Sequence, residues 1–139
     1  MNILSIFKHF NYNRQFNNII FLYFIGIIFW LCLVVYREFY KLDVSVLRYD
    51  IFDGCNGWCI AHFFHYLLLA YFAPNYWKML IIIGILFEII EIPLNKFSKY
   101  IDSKLIEDSL TNSLGVFSGL LLYNLFPNYI DLFKIFLQN

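Results

Sequence analysis

Charge is what this sequence has least of. Asp, Glu, Lys and Arg make up 14% of its 139 residues, where a soluble domain carries about 25%. Ten basic and ten acidic side chains cancel, which leaves no basic excess for a nucleic-acid partner. Cysteine is scarce and odd in number, with Cys32 inside an apolar run and Cys55 and Cys59 in CNGWC. Such a set, one thiol at membrane depth, is not a disulfide framework. Cys55 and Cys59 read as ordinary thiols near a helix start, with a bridge or a metal pair as the alternative. No cleavable signal peptide is expected, because polar residues interrupt the first 18 positions and no small-residue cleavage site follows the first apolar run. No linker divides the chain, which reads as one domain.

What is present in excess is apolar. Hydrophobic residues make up 61% of the chain and aromatic residues 22%, a balance that points to a membrane protein. A hydrocarbon core about 30 Å thick takes roughly 17–25 helical residues to cross. Four segments meet that length: 18–36, 57–73, 76–92 and 110–126. The first has no charge; the second is apolar except for His62 and His65. The third carries Lys78 at one end and Glu88 and Glu91 at the other. The fourth has small residues, Ser113, Gly115, Ser118 and Gly119, which suit close helix packing. In lipid every backbone group must be satisfied internally. The expected fold is therefore all-α, an integral membrane four-helix bundle. Met1–Phe10 and Tyr129–Leu137 alternate apolar and polar residues, the pattern of short interfacial helices at the termini.

Pro-Asn-Tyr occurs at 74–76 and again at 127–129, where proline stops a helix and tyrosine suits the interface. The recurrence is either a faint repeat or coincidence. An even number of spans puts both termini on one side. That side holds Lys8, Arg14, Lys78 and Lys134, while the loops 37–56 and 93–109 hold Arg37, Lys41, Arg48, Lys96, Lys99 and Lys104. Six against four favours cytoplasmic loops.

Placed on this topology, the unusual residues converge. His62 and His65 begin span two, Glu88 and Glu91 end span three, and Asp108 and Asn112 straddle the start of span four. All six lie at one leaflet, and the spacings of three or four put each pair on one helix face. A carboxylate in hydrocarbon costs roughly 2.5–3.5 kcal/mol, and converging acids repel one another. A bound cation or a neighbouring imidazole relieves both costs. Read singly, Glu91 could reach water, His65 could sit in an aromatic belt, and Asn112 could join two helices. Read together, carboxylates and an amide are hard oxygen ligands for Ca²⁺, Mg²⁺ or Mn²⁺, and histidine is the natural general base near neutral pH. At headgroup depth that combination would meet phospholipid phosphates, an arrangement for phosphoryl transfer. A di-iron or di-manganese site would bring Glu-x-x-His pairs, which the spans lack.

The order AHF (61–63), FEIIE (87–91), LNKF (94–97) and EDSLTNSLGVFSG (107–119) resembles the core of eukaryotic-type phosphatidylserine synthases, over Asp53 to Gly119. Those multi-pass enzymes exchange a phospholipid headgroup for L-serine with calcium. The resemblance implies that His62 is the base, working with Glu88, and that Glu88, Glu91 and Asp108 bind calcium. It puts Asn95 and Asn112 near the headgroup, with His65 beside them. The family's tryptophan-rich acidic motif is reduced here to KYIDSK, with Asp102 as its candidate equivalent; Glu107 competes with Asp108 for the aspartate register. HFFHY (62–66), an acid in the next span and DSLTNSLGVFSG also resemble the VanZ-like small membrane proteins. That likeness implies a non-catalytic protein binding a lipid headgroup or partner.

Overall fold

The structure, a computed structural model, describes residues 14–40, 55–95, 105–128 and 130–138. Its order is α1 (Arg14–Tyr40), α2 (Gly57–Phe72), a 3₁₀ turn (Pro74–Tyr76), α3 (Trp77–Asn95), α4 (Leu105–Leu125) and α5 (Leu132–Gln138). The all-α class holds for the described residues. Of the two terminal helices expected, α5 is present, and 1–10 lies outside the described residues.

Among the described helices α1 alone is long and apolar enough to cross a bilayer, over Arg14–Arg37. α2 has 16 residues, a length of about 24 Å at 1.5 Å per residue. α3 is interrupted by Lys78, Glu88 and Glu91 and carries Pro93 within it; α4 begins on Glu107 and Asp108. The polar residues that make the site interesting are the same ones that break the apolar pattern.

Local chemistry sets the helix ends. Asn56 caps α2, its Oδ1 accepting from Trp58 N at 3.0 Å and Cys59 N at 3.3 Å, which satisfies two amides that have no helical acceptor. Pro74 turns the chain after α2, and the second Pro-Asn-Tyr behaves differently. Asn128 is buried and donates to Tyr71 O at 2.8 Å, whereas Asn75 is exposed. The recurrence is thus not mirrored in packing.

α2 and α4 run parallel and share the most extensive contact in the molecule. Along the seam Cys59 meets Thr111, and His62 meets Asn112. Further along, Gly115 lies on the backbone of Phe63, and Gly119 on that of Leu67. Only glycine lets the two backbones come this close. α3 packs against α4, and α1 against α2. A core of Ile19, Tyr66, Leu69, Ala70, Ala73, Leu80 and Val116 fills the centre.

The outer surface reverses the usual pattern. Phe24 (58%), Phe117 (54%) and Leu121 (62%) are exposed, while Asn18, Arg37, Glu88, Glu91, Asp108, Asn112 and Asn128 are buried. Span one also does more than the sequence led us to expect of it. The buried Asn18 side chain donates to Ile130 O at 2.9 Å and Phe72 O at 3.4 Å and accepts from Leu132 N at 2.8 Å. It ties α1 to the end of α2 and to the start of α5. Asn18→Ala removes a buried donor and acceptor together, an expected loss of about 1–3 kcal/mol. Hydrogen exchange at the Leu132 amide should rise by at least tenfold, with protection in α2 and α4 unchanged.

Candidate functional site

Three helices present one stripe each. In α3 the buried positions are Leu80, Gly84, Glu88 and Glu91, spaced as one helical face. Gly84 admits the Tyr66 ring: a Cβ there would lie 3.2 Å from its hydroxyl. In α4 the buried stripe is Asp108, Asn112, Gly115, Val116 and Gly119. α2 brings His62 to the same point.

There Asn112 Nδ2 donates to Glu88 Oε1 at 3.0 Å, and His62 Nδ1 lies 3.1 Å from Asn112 Oδ1 and 3.3 Å from Glu88 Oε1. The donor and acceptor roles follow from elementary chemistry. An ionised Glu88 Oε1 can only accept, so the amide nitrogen of Asn112 faces it. That turns Oδ1 toward His62, and Oδ1 too can only accept. In the neutral imidazole Nδ1 therefore carries the hydrogen, and the lone pair is left on Nε2. Glu88 and Asn112 thus favour the neutral tautomer whose free lone pair is on Nε2.

Glu88 is 0% exposed, and its Oε2 has no hydrogen-bond partner among the described residues. A bare carboxylate oxygen away from water costs several kcal/mol or more unless something neutralises it. Glu91 and Asp108 are also buried, and both are close enough for their charge to bear on the His62 ring. Glu91 is only 6% exposed, and what exposure it has is toward a fissure beside the cluster. Asp108 turns inward while Glu107 is exposed, so of the two competing acids Asp108 is the one at the site. By chemistry this oxygen-rich set fits a hard divalent cation. By position, no three of the described His, Cys, Asp and Glu residues are gathered as a metal cage.

Beside the cluster runs a fissure of about 330 Å³, between α1, α2 and α3. Its walls are apolar and aromatic, with Tyr23, Trp30, Trp58 and Ile90 among them, and His62, His65 and Glu91 give it polar points. His62 thus joins the hydrogen-bonded cluster on one side and the fissure on the other.

The structure separates the two histidines that the spacing placed on one face. His65 turns to α1, with its ring edge-on to Tyr23 (5.6 Å) and Tyr66 (5.7 Å). A Cβ at Gly26 would come within 2.7 Å of it. The reason is that α2 is packed on both flanks, so a 3-residue step along it changes neighbour. His65 lines the fissure but makes its ring contacts with Tyr23 and Tyr66 and not with Glu88 and Asn112. Asn95 ends α3, and its side chain lies outside the described set; so does Asp102 altogether.

Two features differ from the reading the sequence favoured. Cys55 and Cys59 form a disulfide, where ordinary thiols were expected. Cysteines four apart on either side of a helix cap can meet because the cap residue leaves the helical path, which spacing alone does not reveal. Arg37 is buried (1%) with its guanidinium 5.1 Å from the centre of the Trp58 ring, a cation–π contact. Its place at the end of a long apolar run was the available signal.

Against known protein families, curated proteins and solved structures, the chain finds no match.

Proposed function

We propose that this chain is a four-span membrane protein that exchanges phospholipid headgroups, as the resemblance to phosphatidylserine synthases implies. The membrane part rests on the inverted surface. Large apolar side chains outside and seven polar or charged residues inside suit a lipid surround, where an exposed apolar helix such as α1 has no cost. The shorter α2 would be accommodated by local thinning or by its flanking turn.

The enzymatic part rests on one observation, the Glu88–Asn112–His62 chain, with a proton-accepting Nε2 beside an apolar fissure. A phospholipid would lay apolar chain into the fissure and bring its phosphate to the His62 end. His62 Nε2 would take the proton of the serine hydroxyl as that oxygen bonds to phosphorus. The bond from phosphorus to the original headgroup oxygen then breaks, and the imidazolium returns the proton to it, so no net proton is consumed. Glu88, with Glu91 and Asp108, would hold a divalent cation, calcium by its oxygen donors, which when bound neutralises phosphate charge.

The test is incorporation of radiolabelled L-serine into lipid by the purified protein in phospholipid liposomes. Calcium-dependent product is expected, and His62→Gln should lower it by about 10²–10⁴-fold, the usual contribution of a general base. Absence of product, or Glu88→Gln and His62→Gln both matching wild type, would end the enzymatic reading.

A second reading remains beside the first. It follows the other resemblance, to a non-catalytic, VanZ-like protein that binds a lipid headgroup or partner. It expects phospholipid binding that depends on Glu88 and Asn112, with no turnover.

A further inference from the structure

The disulfide takes no part in the chemistry above, yet it bears on which way the site faces. It joins Cys55, just before the Asn56 cap, to Cys59 in the first turn of α2, with Cα atoms 5.4 Å apart. Cys59 Sγ also lies 3.3 Å from Thr111 Oγ1, next to Asn112 in α4. The bridge is therefore one helical turn from His62, at the same end of the bundle.

Disulfides form and persist in oxidising compartments, whereas cytosolic thiol pools keep such pairs reduced. The opposing indication is the excess of basic residues in the loops at this end. Arg37 belongs to α1 and is buried against Trp58, but Arg14, Lys78 and Lys134, counted for the opposite side, lie in helices too. The count therefore stays at six against four, a margin that moving a single residue would erase. The bridge then decides.

We propose that the end of the bundle carrying Cys55–Cys59 faces the oxidising, non-cytoplasmic side of the membrane. The Glu88–Asn112–His62 cluster opens there with it. Its polar ligand and any cation come from that compartment, and its phospholipid comes from that leaflet. This inference rests on the membrane-embedded reading and not on headgroup exchange.

The experiment uses the full chain with Cys32→Ser, expressed in the inner membrane of a bacterium. Intact cells receive a membrane-impermeant maleimide with or without prior membrane-impermeant phosphine. No label before reduction and two labels per chain after it are expected. Labelling without reduction, or only after the membrane is permeabilised, would overturn the proposal. Because Cys59 is buried, the thiols are also trapped by alkylation in denaturant straight from intact cells. There a bridged pair supports the proposal and two free thiols overturn it. Serine exchange is scored separately, so a chain without activity but with the expected labelling keeps its orientation and loses only the enzymatic reading.

Discussion

Gly119→Leu is expected to part α2 from α4 and to undo the bundle. A Cβ at this position would strike Leu67 O and come within 2.9 Å of Ala70 Cβ and 3.0 Å of Tyr71 N. Two of these three neighbours are backbone atoms of a packed helix, which cannot turn aside as a flexible side chain does. Overpacking of a core commonly costs about 1–3 kcal/mol, and here the whole seam must shift. The seam also carries the His62–Asn112 contact, so fold and site should fail together. Thermal unfolding in detergent, followed by circular dichroism, should show destabilisation of at least about 3 kcal/mol. The control is Leu121→Ile, at a position 62% exposed, which should stay within about 0.5 kcal/mol of wild type. Equal stability of the two variants would mean that the close approach is not real.

The second large effect is expected at Asn112. Its side chain gives Glu88 Oε1 a donor and gives His62 Nδ1 an acceptor. Asn112→Leu fills the same space but strips both groups of that partner inside the protein, while Glu88 Oε2 already has no hydrogen-bond partner among the described residues. Leaving a buried polar group unmet costs about 1–3 kcal/mol, and more for a charged one. Helix–helix hydrogen bonds within membranes average less, about 0.6 kcal/mol in one well-studied case. The burial of Glu88 places Asn112→Leu above that average, at about 2 kcal/mol. Asn112→Gln, which keeps the amide on a longer stem, should be milder in stability and still disturb any exchange activity, because the histidine tautomer then depends on a displaced oxygen.

Much of this arrangement was legible in the sequence, for definite physical reasons. The cost of charge among apolar residues made Glu88, Glu91 and Asp108 conspicuous, and helical spacing brought them to one end with His62. The gathering of His62, Glu88 and Asn112 follows from that logic, and so does the close packing at Gly115 and Gly119. What stayed hidden depends on which neighbour a face meets. His65 shares a helical face with His62 by spacing, but α1 and α4 claim different sides of α2. Asn18 read as the polar start of a span, because its three partners lie at Phe72, Ile130 and Leu132, far along the chain. The Cys55–Cys59 bridge hinges on the non-helical path at Asn56, and residue spacing alone carries no record of it.

The central claim is that a buried acid from α3, a buried amide from α4 and a partly buried imidazole from α2 form one mutually dependent cluster. A double-mutant cycle between Glu88→Leu and Asn112→Leu, read by unfolding in bicelles, tests it most directly. Removing both partners should be far less damaging than the two single losses combined, because apolar replacement of a whole pair can be nearly neutral. A coupling of about 1 kcal/mol or more is expected for residues in contact. Strictly additive losses would contradict the account.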